Sequence, residues 1–326
     1  MKKKIDNTVI QVKTIFTLVI LMVSTILSAQ NIEESTIQNE FRLTGDSISF
    51  PLTIVNAFPF ISGEVNGVKG KFMFDTGHQG ALDINNNIVP LSSERATGRG
   101  FVASGQKFEK FTNDTIKELR LVNGLHFQNL KQIPSANYDF LQNNITPDCI
   151  GYIGYDFFKG YMFKLDYTKR KLTFYKSTPE RETSKDFLSG EKVLGILNFE
   201  IRNLPNIPMI KVNIDDVEML GLFDTGGSYG LLEFTEKDTE NLTTKNYLKD
   251  YGKDGYDEDL FVLSNVTVSK QLTTDFIGIH KIEESSQFKK AIGVTEDNLL
   301  ILAYRFLSKY KTVWDYDHKK IYVLEY

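Results

Sequence analysis

The chain has 326 residues, enough for one large domain or two ordinary ones, and its 41% hydrophobic and 25% charged residues fit a globular protein rather than a disordered or fibrous one. Lysine and arginine (38) nearly balance aspartate and glutamate (42), a net charge of −4 that argues against a nucleic-acid or anionic-membrane partner. A single cysteine, Cys149, excludes an intrachain disulfide, and four histidines with no Cys/His pair at ligand spacing lead us to expect no metal and no cofactor.

In chain order, Lys2, Lys3, Lys4 and Lys13 form a basic start, and residues 15–26 are an apolar run too short for a comfortable membrane span. Small residues follow at Ser28-Ala29, so residues 1–29 read as a secretory signal cleaved after Ala29. No cysteine closes the run, which excludes a bacterial lipoprotein anchor. The mature protein is expected to be exported (periplasmic, extracellular or at the cell envelope) and free of the membrane. Residues 30–49 are a short pro-segment, a strand completing the fold, or a tail.

The 24 phenylalanines and 15 tyrosines favour strands over helices. Residues 61–65 and 68–74 flank Asn66-Gly67, the strongest short hairpin signal. The second of these strands runs directly into Asp75-Thr76-Gly77. Further on, residues 97–106 hold three glycines, and Gly98, Gly100, Phe101 and Gly105 mark a candidate flap that closes over a substrate and excludes water. Residues 156–161 suggest one or two helical turns, and residues 162–165 and 172–175 form a hairpin around a polar turn. A polar stretch, residues 177–185, marks a linker.

The pattern then repeats. Asp224 of Asp224-Thr225-Gly226 stands 149 positions after Asp75, Ile214 stands 149 after Val65, Tyr304 stands 149 after Tyr155, and Asp315 stands 149 after Asp166. One constant offset at separated places points to an internal duplication. We expect a first lobe at 50–178, a linker at 179–192 and a second lobe at 193–326. Hairpins at 209–214/217–223 and 311–314/321–324 complete the second lobe.

Each triplet places an acid where an apolar strand ends, at the rim of a core where desolvation disfavours its charge. Threonine then supplies a hydroxyl, and glycine a bare backbone able to approach a carboxylate. Equivalent loops of a duplicated chain can face each other across a pseudo-twofold axis. Two carboxylates meeting there share one proton and titrate as a pair. One then acts as base toward water while the other donates to a carbonyl, which is peptide hydrolysis without a covalent intermediate. Asp166 and Asp315 are also equivalent acids, but each opens a lysine-rich turn and is read as turn-forming. Cys149 is read as a buried structural cysteine.

The two Asp-Thr-Gly motifs, each after an apolar strand, resemble those of the retropepsin and pepsin group of aspartic peptidases. Residues 150–157, 165–167 and 172–174 are similar to the closing part of bacterial retropepsin-like units. The resemblance covers nearly all of the mature chain. It implies a mainly β protein of two homologous β-barrel-like lobes with a central cleft. Asp75 and Asp224 would be the catalytic pair, and Thr76 and Thr225 would brace the two loops across the cleft. Gly77 and Gly226 would offer amides to the carboxylates, and Ile153-Gly154 would pack beneath the first loop.

The chain departs from the family pattern after each triplet. His78 and Gly227 stand where Ser, Thr or Ala is usual, and Leu302-Ala303 replaces the apolar-Gly pair, so the second half reads as the more degenerate. His78 either stays neutral and outside or biases the pair's titration. The resemblance implies an aspartic endopeptidase acting on a peptide or protein substrate. The alternative is a catalytically inactive peptidase-fold protein that binds peptides or an envelope partner. An internal pair of acids removes the need to dimerise, so a monomer is expected.

Overall fold

The computed structural model describes residues 41–92, 94–101, 107–255, 257–282 and 285–326. The expected signal, residues 1–29, and the candidate flap residue Gly105 lie outside the described residues.

The four expected hairpins form. Phe58–Val65 and Val68–Phe74 pair antiparallel from Val65↔Val68 to Phe60↔Met73. Asn66 (φ 48) and Gly67 (φ 88) both turn left-handed, as a two-residue turn requires to match the strand twist. Met209–Ile214 and Val217–Phe223 pair in the same way around Asp215 (φ 52) and Asp216. Tyr161–Asp166 pairs with Lys171–Lys176, and Lys311–Asp315 with Lys320–Leu324. In both closing turns the leading aspartate accepts a backbone N–H three residues on, Lys169 to Asp166 at 2.7 Å and His318 to Asp315 at 3.0 Å. These acids therefore shape turns, as read from the sequence. The short helical turns are Tyr155–Phe158 and Tyr304–Leu307.

One strand order recurs in both halves. In the first it runs Phe58–Val65, Val68–Phe74, Cys149–Ile153, Leu82–Asn85, Ile133–Ala136, Lys107–Asn113, Arg95–Phe101. In the second it runs Met209–Ile214, Val217–Phe223, Leu299–Leu302, Leu231–Glu233, Leu272–Lys281, Asp259–Ser269, Leu248–Lys253. In each, the strand that ends at the Asp-Thr-Gly triplet lies parallel to a buried apolar strand, Cys149–Ile153 or Leu299–Leu302. The first half adds a hairpin, Ile116–Leu121 with His126–Leu130.

A third, six-stranded sheet joins the halves. Its order is Ser47–Pro51, Lys171–Lys176, Tyr161–Asp166, Lys311–Asp315, Lys320–Leu324, Val193–Asn198. At its centre Lys164 pairs with Val313, residues 313 − 164 = 149 positions apart, so the pseudo-twofold axis passes between them. Phe163 and Trp314 stack there at 5.0 Å. The phenylalanine before each triplet packs edge-on against that pair, Phe74 on Phe163 at 5.4 Å and Phe223 on Trp314 at 5.6 Å. Each Asp-Thr-Gly loop is thereby anchored to the shared sheet by a buried aromatic.

The connecting segment is folded onto the same sheet. Thr178 caps the helix Pro179–Ser184, accepting the Arg181 N–H, and a 3-10 turn follows at Asp186–Leu188. The buried Arg181 guanidinium binds Asp46 at 2.8 Å and Asp186 at 2.9 Å, fastening the connection to the start of the first edge strand.

Candidate active site

Asp75 and Asp224 come together, although 149 residues separate them. Each follows its strand without a break, the Asp75 N–H donating to Ile153 O at 3.0 Å, and neither exposes any surface. The Gly77 N–H donates to Asp75 Oδ1 at 2.7 Å and to Asp224 Oδ1 at 3.0 Å. The His78 N–H reaches Asp75 Oδ1 at 3.2 Å, and the Gly226 N–H reaches Asp224 Oδ1 at 2.8 Å. Every amide bond falls on an Oδ1 atom. Both Oδ2 atoms are buried without a partner among the described residues. A buried polar atom without a partner is uncommon in a folded protein and marks both Oδ2 atoms as candidates for a functional role.

The glycines are needed for close approach. A methyl on Gly77 would lie 2.8 Å from Asp224 Oδ2, and one on Gly226 would overlap the Asp75 carboxylate. Any larger residue in either triplet would wedge the acids apart. The threonines interlock: the Thr76 N–H donates to Thr225 Oγ1 at 2.9 Å, and the Thr225 N–H to Thr76 Oγ1 at 3.0 Å. The Thr225 hydroxyl continues to Phe74 O at 2.8 Å. Each hydroxyl therefore caps the opposite loop.

Burial pushes both carboxyls above the ordinary carboxylate range, and the facing charge of Asp224 drives Asp75 further up. The amides of Gly77, His78 and Gly226 pull the other way by favouring the ionised form. Desolvation wins, because the loops are wholly inside the protein. The result is a pair that holds one proton between two acids.

His78 is buried. Its ring lies 5.5 Å from that of Tyr152, with no partner for either nitrogen among the described residues, and burial pushes it down to about 3. It is neutral and inside, so it puts no charge on the pair. The second departure is also resolved. Gly154 (φ −125, ψ −162) and Ala303 (φ −108, ψ −141) share an extended backbone, so alanine meets no strain. A methyl at Gly154 would overlap the His78 carbonyl, whereas the Ala303 methyl sits 3.1 Å from where a Gly227 side chain would begin. The first loop pairs a histidine with a glycine and the second pairs a glycine with an alanine. The second half is therefore repacked rather than degenerate.

The strands Arg95–Phe101 and Lys107–Asn113 form the hairpin that carries the candidate flap. Gly98 (φ 150) lies in open space, but Gly100 has a packing role, since a methyl there would overlap the Phe108 ring. From Phe108 an aromatic chain leads inward to Tyr138 (5.2 Å), Tyr152 (5.1 Å) and His78 (5.5 Å). The counterpart hairpin, Leu248–Lys253 with Asp259–Ser269, is pinned by His280 Nε2 against Asp254 at 3.2 Å.

Sequence reasoning missed two buried polar residues. Asp83 lies beside Tyr138, and burial pushes it up to about 6 against the pull of Lys110. Asn206 binds the first Asp-Thr-Gly loop from the second half, donating to Thr76 O at 2.9 Å and Gly77 O at 2.7 Å. Each is a polar residue with an apolar counterpart: Asn206 stands 149 positions after Ala57, and Asp83 pairs with Tyr152 as Leu231 pairs with Ile301. Cys149 is buried, and its thiol is pushed up to about 12, which leaves it inert as a nucleophile.

No family model matches the chain, and no curated protein matches it. Among solved structures it is similar to conglutin gamma, a basic 7S globulin from lupine seeds, at a TM-score of 0.51 and 10% identity over 87% of this chain and 96% of that one. An aspartic proteinase from Irpex lacteus aligns at a TM-score of 0.49 with 12% identity, over 86% of this chain and 97% of that one. Basic 7S globulin from soybean aligns at 0.49 with 9% identity, over 86% and 95%. The fold is the mainly β, two-lobed one of the pepsin-like aspartic peptidases. Fold alone does not assign activity, which has to be argued from the site.

Proposed function

We propose that the chain is an exported aspartic endopeptidase that hydrolyses peptide bonds with a water activated between Asp75 and Asp224. One observation carries this reading: the single amide of Gly77 donates to both carboxylates, holding them side by side with both Oδ2 atoms unpartnered among the described residues. The ionised carboxyl takes a proton from water as it attacks the scissile carbonyl. The protonated carboxyl donates to the carbonyl oxygen, giving a tetrahedral diol; its C–N bond then breaks as the proton gained by the first carboxyl moves to the leaving nitrogen and a diol hydroxyl returns a proton to the second. This chemistry needs only the two carboxyls and water. The substrate class is an extended segment of peptide or protein.

The basic and apolar start of the chain supports export. Among the described residues, no helix is long and apolar enough to cross a membrane.

The test uses the purified mature protein and a peptide library from acidic to neutral pH, with and without a transition-state analogue of aspartic peptidases. Cleavage is expected, blocked by the analogue, and lowered at least about 10³-fold in Asp75→Asn and in Asp224→Asn. Cleavage that persists unchanged in Asp75→Asn removes the proposal. The second reading, a peptidase-fold protein that binds peptide without cutting it, draws support from the complete burial of both carboxylates. It predicts peptide binding that both asparagine variants retain, with no cleavage by the wild type.

A further inference from the structure

Asn206 is buried in the second half, just before the strand Met209–Ile214. Its Nδ2 donates to the carbonyls of Thr76 and Gly77, 2.9 and 2.7 Å away in the first half. Each carbonyl belongs to a peptide group whose N–H points at the paired acids. The group with the Thr76 oxygen carries the Gly77 N–H, bound to Asp75 Oδ1 and Asp224 Oδ1. The group with the Gly77 oxygen carries the His78 N–H, bound to Asp75 Oδ1 at 3.2 Å. A trans peptide is planar with its C=O and N–H opposed, so a donor that fixes the oxygen also fixes where the hydrogen points. Hydrogen bonds in series also polarise one another in a low-dielectric interior.

We propose that Asn206 is a positioning residue of the catalytic pair: through the Thr76 and Gly77 carbonyls, it aims the Gly77 and His78 amides at the two carboxylates. This rests on the peptidase reading above. Asn206 is itself held, its carbonyl accepting the Tyr316 hydroxyl at 3.2 Å. The arrangement is one-sided. Ala57 stands 149 positions earlier, before Phe58-Pro59 as Asn206 stands before Ile207-Pro208, and alanine has no side-chain amide to offer. Among the described residues, no side-chain donor meets the carbonyls of Thr225 or Gly226. Only the loop of Asp75 is gripped from the opposite half, so the two-fold symmetry of the site is broken at this residue. The titratable groups facing Asp75 are Asp224, the Tyr152 phenol on the strand Cys149–Ile153, and the Tyr316 phenol after Lys311–Asp315. The neutral His78, with Lys110 acting on it, completes the set. Of the three groups facing Asp75, only Asp224 carries charge at neutral pH.

The experiment compares wild type, Asn206→Ala and Asn206→Ser by melting, by kcat and KM across pH on a cleaved peptide, and by carbon NMR titration of the aspartate carboxyls. In Asn206→Ala, kcat is expected to fall about tenfold with KM nearly unmoved, the effect of losing one net hydrogen bond from a transition state. Weaker amide donation stabilises the ionised carboxylates less, so the acid limb is expected to move up by about half a unit. Asn206→Ser, which keeps one hydroxyl donor, falls between, and it carries the test if the alanine variant does not fold. A lower melting temperature with an unmoved acid limb means a merely structural role and overturns the proposal. If the wild type cleaves no peptide, the peptidase reading fails separately. The carboxyl titration then decides, and an unshifted pair in a folded variant overturns the positioning role.

Discussion

The two Asp-Thr-Gly loops share a triplet and a backbone path but are supported in different ways. Behind Asp75, His78 fills the space and Gly154 leaves room for it. Behind Asp224, Gly227 leaves room and the Ala303 methyl takes it. The first loop is also gripped by Asn206, where the other half has Ala57. What the two loops share is the geometry at the carboxylates, with an amide on each Oδ1 and interlocked threonines. The difference teaches that the site constrains the triplet strictly and the packing behind it only in total volume.

The comparison breaks most severely at Gly154. Gly154→Ala copies the second half into the first, yet its methyl would meet the carbonyls of His78 and Gly80 as well as the His78 ring. Backbone cannot yield as a side chain does, so a loss of at least about 3 kcal/mol is expected in a denaturant melt. Adding His78→Gly should not restore it. A double variant as stable as wild type would show that only the ring was in the way.

The electrostatic part of the comparison is read in the pH profile. Burial and their mutual charge push the pair above the ordinary carboxylate range. Below its first ionisation both carboxyls are protonated and no base remains; above its second both are ionised and no acid remains. Catalytic efficiency is expected to rise at a pH above the ordinary carboxylate value and to fall again at higher pH. An optimum deep in the acid range would show that the pair is better solvated than its burial implies.

Asp83 tests the same physics away from the reaction. It is buried and pushed from 3.8 up to about 6, while Leu231 holds the matching place in the second half, opposite Ile301 as Asp83 is opposite Tyr152. The folded protein binds this proton more tightly than the unfolded chain. The stability it contributes is therefore present at low pH and lost as pH rises from the ordinary carboxylate value through about 6. Asp83→Asn should stabilise the protein by about 3 kcal/mol at neutral pH and by nothing in acid, measured by melting at both. Equal effects at both would remove the titration argument.

The smallest effect is expected at Gly227. A methyl there would stand 2.9 Å from Ile301 Cγ2 and 3.1 Å from the Ala303 methyl. Gly227→Ala should cost about 1 kcal/mol, and Ala303→Gly should recover part of it in the double variant. Strictly additive losses would mean that the two positions do not share one space.

The hairpins, the turn-forming Asp166 and Asp315, and the two triplets were legible in the sequence because each is set over a few residues. Asn66-Gly67 supplies left-handed conformations, alternating and continuous apolar runs define the strands, and glycine admits a close backbone. The repeat offset added the expectation that the two triplets are equivalent. Tertiary structure alone decided the rest: both carboxylates turned inward on shared amides, His78 buried and neutral, Gly100 packed against Phe108, Asp83 in an apolar setting, and Asn206 reaching across 130 residues to the first loop. Those features depend on which surfaces meet after the chain has closed on itself. Desolvation and hydrogen-bond direction are properties of that enclosure, and no local pattern of residues encodes them.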